Sequence, residues 1–145
     1  MTAPIEVTRT IAISAPPQRV WDIIAQPEKW TEWMLVPPAV EAGRPLEVGS
    51  EVAWRDGGGA PYLRGTVTRL DVARQLTLEL SDASWQRQPE PGEVTYRFTL
   101  APEGAGTRLD FALGDLSIDA EADDWAGAYA GSRELEAIKE MAEAR

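Results

Sequence analysis

The spacing of apolar residues constrains this chain most. From Ile5 to Leu113 they fall largely at every second position, and from Trp125 to Ala142 they recur at helical spacing. A segment of period two has one apolar and one polar face. Ile5, Val7, Ile11 and Ile13, with Glu6, Thr8, Thr10 and Ala12 between them, predict a half-buried strand over 5–14. Leu46, Val48, Val52 and Trp54 share one parity and predict a second. Tyr62 to Val72 and Gln75 to Ser84 read as two more, the latter carrying Leu76, Leu78 and Leu80 inward. Val94, Tyr96, Phe98 and Leu100, then Leu109, Phe111 and Leu113, repeat the alternation. The turn-forming segments Asp56–Gly59, Pro89–Gly92 and Glu103–Gly106 separate the later strands. About six strands result.

Pro16 and Pro17 stand where a helix can begin without losing a needed donor, and Val20, Trp21, Ile23 and Ile24 give that short helix a buried side. Pro27 ends it. A second short helix over Glu28–Met34 sets Trp30 and Trp33 on neighbouring surface, and residues 35–45 form a loop with three prolines and Gly43. At the other end, Trp125, Ala128, Tyr129, Ser132, Leu135, Ile138 and Ala142 predict one long helix of roughly twenty residues. Asp119, Glu121, Asp123 and Asp124 suit its positive end, and Lys139 and Arg145 its negative end. That helix is the only sizeable element able to cover the apolar side of the sheet. The expected architecture is α+β: a curved antiparallel sheet of about six strands gripping a long C-terminal helix, with two short helices after the first strand closing one end. Such an arrangement leaves an internal cavity. With neither linker nor repeat in 145 residues, 1–145 reads as a single domain.

Composition removes several chemistries. There is no cysteine and no histidine, so disulfides, thiolate metal sites and Ser-His-Asp triads are excluded. A formal charge of -10 repels phosphate backbones and anionic lipid, so neither nucleic acid nor a membrane surface is an expected partner. The amino terminus lacks a continuous apolar stretch, and the segment Trp33 to Val40 is too short to span a bilayer. A cytoplasmic location is the expectation.

The segment TIAISAPPQRVWDIIAQPEKWTEW at 10–33, with GSEVAW at 49–54, Gly65 and Val67, GTRLDF at 106–111 and Trp125 ahead of the terminal helix, resembles the START-like, or SRPBCC, helix-grip superfamily. The amino-terminal block is similar to its polyketide cyclase/dehydrase-like branch. The late tryptophan before an alanine-rich helix is similar to its activator-of-Hsp-ATPase-like branch. The resemblance implies a cavity for lipids, sterols, polyketides or other hydrophobic molecules. It implies a chaperone partner if the second branch holds, and a homodimer is a further expectation. No cofactor is implied.

Trp54, Tyr96, Phe98, Phe111, Trp125 and Tyr129 carry the inward parity of their elements and together can line an aromatic pocket, although plain core filling suits each one singly. Trp30 and Trp33 would sit at its mouth, either plugging it or stacking on a ligand. Tyr96 and Tyr129 add hydroxyls for polar contact. Strict alternation also puts Arg9 and Arg69 on the inner side, where they either mark a site or betray a break in parity. These nine residues, Trp33 included and Trp30 excluded, are the candidate ligand contacts. The acidic run 119–124 opens like a calcium loop but has Asp124 at the sixth position and Ala130 at the twelfth, so no metal site is expected. No catalytic constellation stands out. The leading expectation is a non-catalytic binder of a small hydrophobic or aromatic molecule. The alternatives are a cyclase or aromatase using Tyr96, Tyr129 and Arg9 or Arg69, and a chaperone-interacting protein.

Overall fold

The computed structural model describes residues 3–39 and 45–144, so positions 40–44 of the expected 35–45 loop, and Arg145, lie outside the described residues. Six strands, β1 (Val7–Ile13), β2 (Glu51–Arg55), β3 (Pro61–Asp71), β4 (Gln75–Asp82), β5 (Thr95–Glu103) and β6 (Gly106–Gly114), form one antiparallel sheet in the order β1-β6-β5-β4-β3-β2. Helix α1 (Pro17–Ile24), a 3-10 turn at Pro27–Lys29 and the single-turn α2 (Trp30–Trp33) follow β1 and carry the chain from one sheet edge to the other. The terminal helix packs on the sheet in two segments, α3 (Ala122–Ala130) and α4 (Glu134–Glu143). This is the helix-grip α+β fold.

Alternation builds the core as the sequence implies. Leu76, Leu78 and Leu80, then Val94, Tyr96, Phe98 and Leu100, then Leu109, Phe111 and Leu113, are all buried. Val20, Trp21, Ile23 and Ile24 form the buried side of α1, as their spacing predicts. Trp30 and Trp33 are buried in the core, their indole N–H groups donating to the Ile24 and Ile23 carbonyls at 2.8 and 3.1 Å. Glycine at 106 is dictated by packing: a Cβ there would run into the Ile13 carbonyl oxygen of β1. Gly106→Ala is therefore expected to destabilise the domain by about 1–3 kcal/mol, read in a thermal melt.

Three expectations need correction. The strand predicted from Leu46 begins only at Glu51, because Glu47–Ser50 makes a turn around Gly49 (φ +98°) that leaves Val48 exposed. Arg69 does not face inward. The β3–β4 register slips between Val67 and Arg69, so inward parity passes from Leu63, Gly65 and Val67 to Leu70, and Arg69 pairs with Asp71 in solvent at 2.7 Å. Finally, the long helix is interrupted at Gly131, whose amide closes α3 onto the Gly127 carbonyl. Most of the apolar stripe survives the interruption, with Tyr129, Ser132, Leu135, Ile138 and Ala142 buried, but Ala128 is exposed and Trp125 only half-buried. Among the described residues no helix is long and apolar enough to cross a membrane.

Candidate functional site

Between the β2–β3–β4 end of the sheet and helix α3 lies a half-open cleft of about 1300 Å³. Its walls come from four places: Leu35 and Val36 after α2, Trp54, Tyr62 and Leu63 on β2 and β3, the β4–β5 loop around Trp85, and the β6–α3 connection leading to Trp125, Ala128 and Tyr129. Trp54 is fixed by its indole N–H, which donates to the Val36 carbonyl at 2.8 Å. Trp85 and Trp125 lie with ring centroids 6.4 Å apart and planes tilted by 36°. The Trp85 N–H donates to Asp119 at 2.7 Å, which pins the β4–β5 loop against the β6–α3 connection. Asp119 also accepts the Glu121 amide at 2.7 Å, so one carboxylate organises both the helix approach and the cleft wall.

Three of the nine residues picked from sequence, Trp54, Trp125 and Tyr129, line this cleft. Four others lie beneath it. Tyr96, Phe98 and Phe111 are mutually packed with centroids 5.2 to 5.4 Å apart, and Trp33 meets Phe98 edge-on at 5.5 Å. These rings fill the space between sheet and helix, which moves the open volume to the end of the sheet. Trp125 borders the cleft and is only half-buried. Arg9 keeps its inward parity but is spoken for: it donates to the Ser132 carbonyl at 2.7 Å and to both Glu136 oxygens at 2.7 and 2.9 Å, clamping β1 to the helix interruption. With Arg69 in solvent and Tyr96 held in the core, Tyr129 alone of the four polar candidates reaches the cleft.

Beside Tyr129, behind the wall, stands a carboxyl that the sequence did not single out. Glu134 is 2% exposed. It accepts the Tyr96 hydroxyl at 3.0 and 3.1 Å and the Leu35 amide at 2.8 Å, tying α4 both to the sheet and to the loop after α2. Burial pushes its pKa up to about 7, against the opposing pull of the Leu35 amide, the Tyr96 hydroxyl and the Arg9 charge. Burial, with the Glu134 charge next, also raises the pKa of both tyrosines, so their hydroxyls remain protonated donors. At the outer rim Arg87 grips Glu93 through two hydrogen bonds of 2.8 and 2.6 Å, and this bonding lowers the Glu93 pKa to about 2. Trp85 was also missed; its signal was a lone large aromatic within the polar stretch SDASWQRQPEPG. Among the described residues no group of three or more carboxylates is arranged to hold a metal ion.

The pattern of the family described as polyketide cyclase / dehydrase and lipid transport matches residues 4–143. The chain belongs to that family. Among solved structures it is similar to the Aha1 dimer from Colwellia psychrerythraea, at 18% identity and TM-score 0.69 over 96% of each chain. It is also similar to DynU16, a protein of the dynemicin biosynthetic locus, at 15% identity and TM-score 0.66, over 94% of this chain and 46% of that one. CalU16 from Micromonospora echinospora has 19% identity and TM-score 0.57, with 95% and 83% covered. At these identities the neighbours establish the shared fold. No curated protein sequence matches it significantly. Membership in this SRPBCC family implies a fold with a cavity for hydrophobic ligands, and in this chain the open volume is the cleft at the end of the sheet.

Proposed function

We propose that this family member binds a small hydrophobic or aromatic molecule in the cleft between β2–β4 and α3, as a binding module rather than as an enzyme. The observation carrying this reading is the tryptophan pair Trp85 and Trp125, which with Trp54 lines a volume of about 1300 Å³. Trp54 and Trp85 are held in place by hydrogen bonds, and flat aromatic surfaces so fixed offer large contact area at small entropic loss. Of the four polar candidates Arg9, Arg69, Tyr96 and Tyr129, only Tyr129 lines the cleft, which favours binding over catalysis.

Native mass spectrometry and tryptophan-fluorescence titration against fatty acids, sterols and polyphenols test the proposal. Trp125→Ala is the informative variant. Because Trp125 is half-buried, the substitution is expected to cost about 1–2 kcal/mol of stability, less than the ~3–5 kcal/mol of a fully buried indole. Affinity for any cleft ligand should fall by about tenfold or more. A titration indistinguishable from the parent, or no binder at all, would contradict the reading.

A further inference from the structure

The charge lining the cleft departs from that of the chain as a whole. Asp82, Glu93, Asp115, Asp119, Glu121 and Asp124 line it against a single guanidinium, Arg87, whereas the whole chain has 24 acidic and 14 basic residues. Arg87 is committed to Glu93 by both of its terminal nitrogens, so it cancels one carboxylate and offers little to an anionic ligand. Of the other five carboxylates, Asp82, Asp115 and Asp119 accept hydrogen bonds only from neutral donors among the described residues. Asp82 accepts from Ser84, Asp115 from the Ile5 and Ser117 amides, and Asp119 from Trp85 and the Glu121 amide.

A second observation points into the same space. Tyr129 is 9% exposed, and its hydroxyl has no hydrogen-bond partner among the described residues. No buried side-chain polar atom among those residues is left without a partner, so the Tyr129 oxygen is not sealed in. Tyr129 lines the cleft, so the cleft is where its oxygen can meet a ligand. The aromatic faces around it, Trp54, Tyr62, Trp85 and Trp125, present negative quadrupoles, which attract cations and repel anions.

We propose that the cleft selects an organic cation: a protonated amine on a flat aromatic or alicyclic body. The body lies against Trp85 and Trp125, and the ammonium donates to the Tyr129 oxygen within the field of the carboxylates. This rests on the cleft being the ligand site, and it assigns the ligand's charge, which family membership does not.

Isothermal titration calorimetry of the full chain with 2-naphthylmethylammonium, the corresponding neutral alcohol and 2-naphthylacetate separates the two claims. The ammonium should bind roughly tenfold tighter than the alcohol, and the acetate weakest of the three. That lead should shrink at about 0.5 M salt as the carboxylate field is screened. Neutralising the rim with the double variant Glu121→Gln, Asp124→Asn should cut the ammonium-to-alcohol ratio about threefold. An alcohol or acetate binding as tightly as the ammonium overturns the cation preference and leaves the cleft standing as a binding site. Failure of all three to bind removes both.

Discussion

Replacing Phe98 with alanine is expected to destabilise the domain by about 3–5 kcal/mol, a large share of the ~5–15 kcal/mol typical of a folded domain. Phe98 is fully buried on β5, and its ring meets Trp33, Tyr96 and Phe111 at 5.5, 5.4 and 5.2 Å. Those neighbours are anchored. Trp33 is tied by its indole to the Ile23 carbonyl, and Tyr96 by its hydroxyl to Glu134, so neither can slide into the vacated space. A cavity that cannot collapse sits at the upper end of the range, because the lost dispersion contacts are not recovered. Urea denaturation should read the loss as a lower midpoint at unchanged slope. A loss below about 1 kcal/mol would mean that the four rings are not packed as a unit, and that open volume reaches the interior of the sheet after all.

The same ring cluster shows what the sequence could and could not say. Parity alone puts Tyr96, Phe98 and Phe111 on the inner face, because a strand allows only two directions for a side chain. Whether an inner-face ring lines a ligand or another ring depends on how closely the helix approaches the sheet, and no single strand encodes that distance. Arg69 illustrates a different gap. One extra residue between Val67 and Arg69 reverses the parity beyond it, and nothing in VTRL marks a bulge as glycine would. Glu134 was hidden by treating 125–142 as one continuous helix, on which it falls beside the apolar stripe rather than within it. Gly131, poor in a helix interior and common just past its end, was the available signal for the interruption. Restarting the helix at Glu134 puts that carboxyl at the first turn, facing Tyr96 and the Leu35 amide.

From that position Glu134 should make the domain less stable as pH rises toward neutrality. Its pKa moves from an ordinary 4.5 to about 7 on folding, so the folded state holds the proton more tightly than the unfolded chain. The contribution is fully present below about 4.5, is lost progressively between about 4.5 and 7, and amounts to about 3 kcal/mol across that window. Other carboxylates act in the opposite sense. The Arg87 hydrogen bonds lower the Glu93 pKa, the Arg9 hydrogen bonds lower that of Glu136, and the Lys139 hydrogen bond lowers that of Glu143. Any stability from such groups is present above their unfolded pKa values and lost on acidification, so the parent profile alone mixes the two effects. Glu134→Gln isolates the buried carboxyl. The amide oxygen can accept the Leu35 amide, and its nitrogen can donate to the Tyr96 hydroxyl, so the ties between α4, the sheet and the loop are kept while the ionisable group is removed. Compared at each pH by urea denaturation, the variant should match the parent within about 1 kcal/mol near pH 4.5 and exceed it by about 3 kcal/mol at pH 8. A difference that stays constant across the range would mean that Glu134 titrates alike in the folded and unfolded chains, and that its place between Tyr96 and Leu35 is open to water.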